Sequence, residues 1–218
     1  MTVRLAVFDC DGTLVDGQAG ICDAMDAAFT AAGLALPDRH QVRRIVGLSL
    51  PQAIALLLPD AERAVQSTIA DEYRGAFRSA REAGQLVEPL YEGIAPLLHA
   101  LKAADWTLGV ATGKSDRGLS HCLAMHGLSH HFTTLQTADR HPSKPHPAML
   151  RAALDEALAE PAHSVMIGDT AYDMAMAVSA GVRAIGVDWG YHSVAELREA
   201  GAEVVATSPA HLQELLLS

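Results

Sequence analysis

Six short runs of apolar, Val/Ile/Leu-rich sequence punctuate the chain, at residues 3–8, 107–111, 133–137, 164–167, 183–187 and 203–206. Their apolar positions are consecutive rather than alternating, which is the pattern of strands buried on both faces. Longer stretches with helical periodicity follow them, at 94–104, 116–126, 147–159, 172–180, 194–200 and 210–217. Gly127, Gly181 and Gly201 stand where three of these should end, the place of a left-handed terminating residue. Strand and helix in alternation predict an α/β fold, a Rossmann-like parallel sheet with helices on both faces.

Between residues 16 and 88 the rhythm breaks. No strand pattern occurs there, only helical periodicity, clearest at 24–32, 50–58 and 62–83 and interrupted by Gly33, Pro37, Gly47, Pro51, Pro59 and Gly84. The expected division is therefore a core of residues 1–15 and 89–218, with an all-helical cap of residues 16–88 inserted after the first strand. Such a cap would close over the carboxyl edge of the sheet, where open α/β sheets bind ligands.

Composition narrows the function classes. Half of the 218 residues are hydrophobic and 19% are charged, which excludes a disordered chain and allows a core that needs no staple. The net charge of −10, with no basic run denser than Arg43-Arg44, argues against a nucleic-acid partner. No apolar stretch approaches the roughly 18 residues of a membrane span, and the N-terminus lacks a cleavable signal pattern. Cys10, Cys22 and Cys122 are odd in number, far apart and without metal-ligand spacing. Reduced thiols in a cytoplasmic protein are the expectation.

Candidate chemistry lies at the ends of the predicted strands. The first runs directly into Asp9-Cys10-Asp11-Gly12-Thr13. Period-two geometry would put both carboxylates on one side and Cys10 on the other. Two such acids repel unless a cation or a shared proton relieves them. A second acidic cluster, Gly168-Asp169-Thr170-Ala171-Tyr172-Asp173, follows another strand, with Asp173 one helical turn beyond Asp169. Two strand-end clusters of carboxylates suit a hard cation such as Mg²⁺. Thr112-Gly113-Lys114-Ser115 opens a helix after a third strand, so the Thr112 hydroxyl and Gly113 N–H could meet a phosphoryl oxygen. Ser143-Lys144-Pro145-His146-Pro147 places one lysine at the entry of another helix.

In that order the four segments resemble the motifs of the haloacid dehalogenase-like superfamily: Asp9-x-Asp11-Gly12-Thr13, Thr112, Lys144 and Gly168-Asp169-x-x-x-Asp173. The phosphoglycolate phosphatase-like branch is the most similar, through Lys144-Pro145-His146-Pro147, Gly168-Asp169-Thr170 and the stretch Gly186 to Tyr191. The resemblance implies a Mg²⁺-dependent phosphomonoester hydrolase acting on a small phosphorylated metabolite. Asp9 would be the nucleophile that forms an aspartyl-phosphate, and Asp11 the acid and then the base. It implies a metal held by the carboxylates of Asp9 and Asp169 and the main-chain carbonyl of Asp11. Asp173 would act through metal-bound water or by orienting Lys144, while Thr112, Gly113 and Lys144 would bind the phosphoryl group.

Other readings compete less well. Dehalogenases of the superfamily lack the second aspartate, so Asp11 favours phosphate chemistry. Sugar-phosphate mutases carry a lysine before the cap-loop glycine and an arginine three residues after it, where this chain has Val46 and Leu50 around Gly47. A non-catalytic scaffold would be expected to have lost one of the six motif residues. Arg43 and Arg44 read as helix-surface arginines, Cys10 as core packing, and Trp106 and Trp189 as packing beside strands. Six of the eleven histidines fall between His121 and His146 and read as solvated loop and helix positions. A monomer or a homodimer is compatible with the sequence.

Overall fold

The computed structural model describes residues 2–218. Six parallel strands form one sheet in the order β3-β2-β1-β4-β5-β6. They are β1 (Arg4–Phe8), β2 (Trp106–Thr112), β3 (Thr134–Thr137), β4 (Ser164–Gly168), β5 (Arg183–Val187) and β6 (Val204–Ala206). β1 is central, with Val7 opposite both Gly109 of β2 and Met166 of β4. Its residues Leu5 to Phe8 are wholly buried because alternate side chains enter cores on opposite faces of the sheet. Ala6 and Phe8 pack toward α5 (Ile94–Ala103), α6 (Asp116–Met125) and α10 (Pro209–Leu217). Leu5 and Val7 pack toward α7 (Ala148–Ala157), α8 (Ala171–Ala180) and α9 (Val194–Glu199). The consecutive apolar residues that predict strands are thus required by two cores rather than one. β2 runs one residue further at each end than its apolar run, so Thr112 is the last residue of the strand.

Four helices precede α5: α1 (Gln18–Ala31), α2 (Arg39–Arg44), α3 (Leu50–Leu57) and α4 (Arg63–Glu82). They have a core of their own, built from Ile21, Met25, Phe29, Val42, Ile54 and Ile69 among others. The sequence reading puts Arg43 and Arg44 on a helix surface but gives the short α2 no bounds. Its six residues RHQVRR hold a single buried side chain, Val42, so no periodicity can show, and its start is fixed by Asp38 accepting from the His40 N–H at 2.8 Å.

The chain enters and leaves this segment side by side. The Asp16 N–H donates to the Pro89 carbonyl at 2.8 Å, and the Tyr91 N–H to the Leu14 carbonyl at 3.1 Å. Among the described residues, no helix is long and apolar enough to cross a membrane. One expectation fails in the histidine-rich stretch. His131 is buried rather than solvated, its ring packed on His99 and His130 at centroid distances of 4.6 and 4.2 Å.

Candidate active site

Asp9 is the first residue beyond β1 and Asp169 the first beyond β4, so neighbouring strands deliver both carboxylates to one edge. Asp173 joins them from the first turn of α8. Carboxylate oxygens of the three lie within 4.8 Å of one another, and all three residues have no exposed surface.

Each acid is held differently. Asp169 accepts from the Thr13 hydroxyl at 2.8 Å through Oδ1 and from the Tyr191 N–H at 3.0 Å through Oδ2. Asp173 Oδ2 accepts from the Thr170 N–H and hydroxyl at 3.1 and 2.7 Å, the capping box that starts α8. Asp9 Oδ2 is buried without a hydrogen-bond partner.

Three glycines make room for this cluster, among them Gly190, where a Cβ would stand 2.2 Å from Asp169 Cβ. A Cβ on Gly12 would stand 2.1 Å from Asp169 Oδ2, and one on Gly168 would stand 2.4 Å from the Asp173 side chain. Gly12 also has φ +86°, which an L side chain rarely adopts.

Lys144 supplies the opposing charge. Its wholly buried ammonium lies 2.7 Å from Asp9 Oδ1 and 2.6 Å from Asp173 Oδ1. Burial works against this charge, but Asp173 and Asp9 more than offset it and raise the lysine above its ordinary pKa. One cation does not balance three carboxylates. Burial holds Asp9 and Asp169 above the ordinary carboxylate range, and mutual repulsion adds to this. The excess negative charge, the unpartnered Asp9 oxygen and the all-oxygen donor set fit a hard divalent cation.

Asp11 is placed apart from this trio. Its side chain is nearly buried and faces Lys114, whose Nζ lies 2.9 Å from Asp11 Oδ1 and 2.5 Å from Glu88 Oε1. Asp11 still lies near enough to add by charge repulsion to the raised pKa of Asp9. Cys10 packs into the core with its sulfur 3.9 Å from that of Cys122, and this contact and burial push its thiol pKa up.

Thr112 is buried, and its Oγ1 accepts from the Lys114 N–H at 3.2 Å. Gly113 lies against the helical segment. A Cβ there would be 2.5 Å from the Leu48 carbonyl oxygen and 2.7 Å from that of Gly47. Beside it opens a cavity of about 460 Å³ between helical segment and sheet edge. Ile21, Met25, Leu48 and Phe77 are among its apolar walls, and Asp11 reaches it from the sheet side. Arg74, Arg78, Arg81, Lys114 and Arg117 also line it.

The structure thus brings Asp9, Lys144, Asp169 and Asp173 together, with Asp11 and Gly113 lining the adjoining cavity and Thr112 buried next to Gly113 at the end of β2. Arg43 and Arg44 do not line it: Arg43 donates to Gln18 Oε1 at 2.9 Å, and Arg44 pairs with Glu196 at the start of α9. Sequence reasoning misses Lys114 and Glu88. The available signal was the position of Lys114, two residues beyond Thr112 at the end of an apolar strand. Trp189 does more than pack, since its Nε1–H donates to the Thr13 carbonyl at 3.1 Å.

The chain belongs to the haloacid dehalogenase-like hydrolases, the family whose model matches residues 6–187. Within that class its relatives include proteins named as phosphatases. It is 37% identical over 207 residues to the "Probable phosphatase IndB" of Dickeya dadantii, covering 92% of this chain and 88% of that protein. It is 28% identical over 221 residues to the phosphoglycolate phosphatase of Vibrio vulnificus strain YJ016, covering 99% and 96%. A crystal structure described as a predicted phosphatase from Clostridium acetobutylicum superposes with a TM-score of 0.89 at 26% identity, over 100% of this chain and 99% of that one.

Proposed function

We propose that the protein is a Mg²⁺-dependent phosphomonoester hydrolase acting on a small organic phosphate through an aspartyl-phosphate, with residues 16–88 as its cap. One observation carries this reading most directly: a buried lysine bridging Asp9 and Asp173, beside Asp169, at the carboxyl edge of the sheet. A carboxylate oxygen of Asp9 attacks phosphorus in line, forming the Asp9–phosphorus bond as the bond to the leaving oxygen breaks. Asp11, standing where the leaving group must lie, gives that oxygen its proton. It then takes a proton from the water that hydrolyses the intermediate.

Lys144 offsets charge on the transferring group. The Thr112 hydroxyl, which accepts from Lys114 N–H, keeps its own hydrogen for a phosphoryl oxygen. The carboxylates of Asp9 and Asp169 and the Asp11 carbonyl would hold Mg²⁺, which supplies the positive charge that lets a phosphate dianion approach these acids. Asp173 is occupied by Thr170 and Lys144, which favours its role as the orienter of that lysine.

A chain of net charge −10 must draw an anion in locally, and the four arginines lining the cavity, Arg74, Arg78, Arg81 and Arg117, do so. Phosphoglycolate is the first candidate substrate, and sugar phosphates and nucleotides belong in the same screen. Val46 and Leu50 are among the apolar residues lining the cavity, which favours hydrolysis over a mutase's grip on a second phosphate. Phosphate release from an aryl phosphate and from a panel of phosphorylated metabolites, with Mg²⁺ and then with EDTA, tests the reading. Metal-dependent turnover is expected. No such turnover across the panel would overturn it.

A further inference from the structure

We propose that Lys114 and Glu88 form a positioning pair for Asp11, clamping the carboxyl group that serves the leaving oxygen to the linker through which the helical segment rejoins the core. The inference rests on the phosphatase reading and concerns residues to which that reading assigns no role.

The contacts form a chain. Asp11 Oδ1 lies 2.9 Å from Lys114 Nζ, which is itself 2.5 Å from Glu88 Oε1. Side-chain exposure is 10% for Asp11, 8% for Lys114 and 2% for Glu88, so water takes little part. The far end is anchored as well. The Glu88 carbonyl is bonded to His126 Nε2 at 2.7 Å, and next to it the Asp16 N–H donates to the Pro89 carbonyl at 2.8 Å. From the other side, a Cβ on Gly17 would lie 2.4 Å from Asp11 Oδ1, so the backbone of the outgoing linker closes on the same oxygen. Asp11 is therefore held by three separate parts of the chain: the outgoing linker, the returning linker, and the turn after β2.

Stability alone is a poor reason for this arrangement. A buried ion pair is commonly no more stabilising than apolar side chains of the same volume, because both charges must be desolvated. The geometry fits a chemical purpose better. When the Asp11 O–H bond breaks and its proton passes to the leaving oxygen, the carboxylate left behind meets the Lys114 ammonium already in place. Glu88 holds that ammonium from its far side, so it neither swings into the cavity nor needs to reorient between the two steps. A preorganised group of this kind saves reorganisation at the moment of reaction.

The test compares two esters with the full-length, Mg²⁺-loaded protein. Glycerol phosphate has a strongly basic leaving alkoxide that needs a proton, whereas nitrophenolate leaves without one. In Lys114→Met, kcat/KM for glycerol phosphate is expected to fall roughly a hundredfold, and for nitrophenyl phosphate by less than about tenfold. Glu88→Gln should show the same asymmetry with smaller losses. Should Lys114→Met fail to fold with Glu88 left unpaired, the double variant Lys114→Met/Glu88→Gln removes both buried charges and carries the same comparison. Equal losses on the two esters, or no loss on either, would overturn the positioning role. No Mg²⁺-dependent turnover by the wild-type protein of these esters or of any member of the metabolite panel would instead overturn the phosphatase reading beneath it.

Discussion

Replacing Lys144 by methionine keeps the length and most of the volume of the side chain and removes only its charge. In the folded protein this leaves Asp9, Asp169 and Asp173 buried together with no cation in contact. Breaking a buried pair by deleting one partner costs about 3–5 kcal/mol, because the remaining charge stays desolvated. For a chain of 218 residues each kcal/mol lowers the melting temperature by about 2–4 °C, so the expected fall is about 6–20 °C. Thermal unfolding followed by circular dichroism, in chelator and at neutral pH, measures it. The deficit should narrow as pH falls and the carboxylates protonate. Mg²⁺ at a hundredfold excess over its dissociation constant would add about 2.7 kcal/mol to any protein that binds it, wild type included, which is why the comparison is made in chelator. A melting temperature within about 2 °C of wild type in chelator, at neutral pH, would refute the view that Lys144 is the charge holding this cluster together.

Other substitutions probe the boundary between the helical segment and the core. Gly113→Ala puts a Cβ against the Leu48 and Gly47 main chain, so it should displace that loop, lowering thermal stability and cutting kcat/KM more than about tenfold. Equal kinetics would show that the contact is dispensable. Arg44→Ala breaks a partly exposed pair with Glu196 and should cost only about 0.2–1 kcal/mol, shrinking further in high salt; a larger, salt-independent loss in a denaturant titration would contradict this. His192 accepts from the Ala171 N–H and bonds the Arg44 carbonyl as a neutral ring, and burial lowers its pKa. Its contribution is therefore present above about pH 6.5 and is lost as pH falls below that value toward the lowered folded pKa. His192→Gln should flatten the melting temperature between about pH 7 and 5, and an unchanged slope would remove His192 as the cause.

What could be read in the sequence was local. Continuous apolar residues at β1 and β4 announce strands buried on two faces, and Asp9 and Asp169 directly after them announce a site at one edge. The helical stretch after β1 is visible because three helical patterns with no strand between them interrupt a regular alternation. Contacts between distant residues leave no such trace. Lys114 and Glu88 are 26 residues apart, on a strand-end turn and on a linker, and neither neighbourhood shows that a charge is buried there. His131 looks like one of a polar run until His99, from α5, is seen to cover it. The helix α2 is too short for its single buried residue to make a pattern. Asp11 was recognisable as an acid of the site, but its ion pair with Lys114, from the turn after β2, leaves no local trace.

The role of Asp9 as nucleophile is tested most directly by Asp9→Asn, assayed for phosphate release with saturating Mg²⁺ on whichever ester the wild-type protein hydrolyses best. The amide is nearly the size of the carboxylate and removes its nucleophilic oxygen, so the fold should be unchanged by circular dichroism while kcat falls by about a thousandfold or more. Turnover within about tenfold of wild type would contradict it.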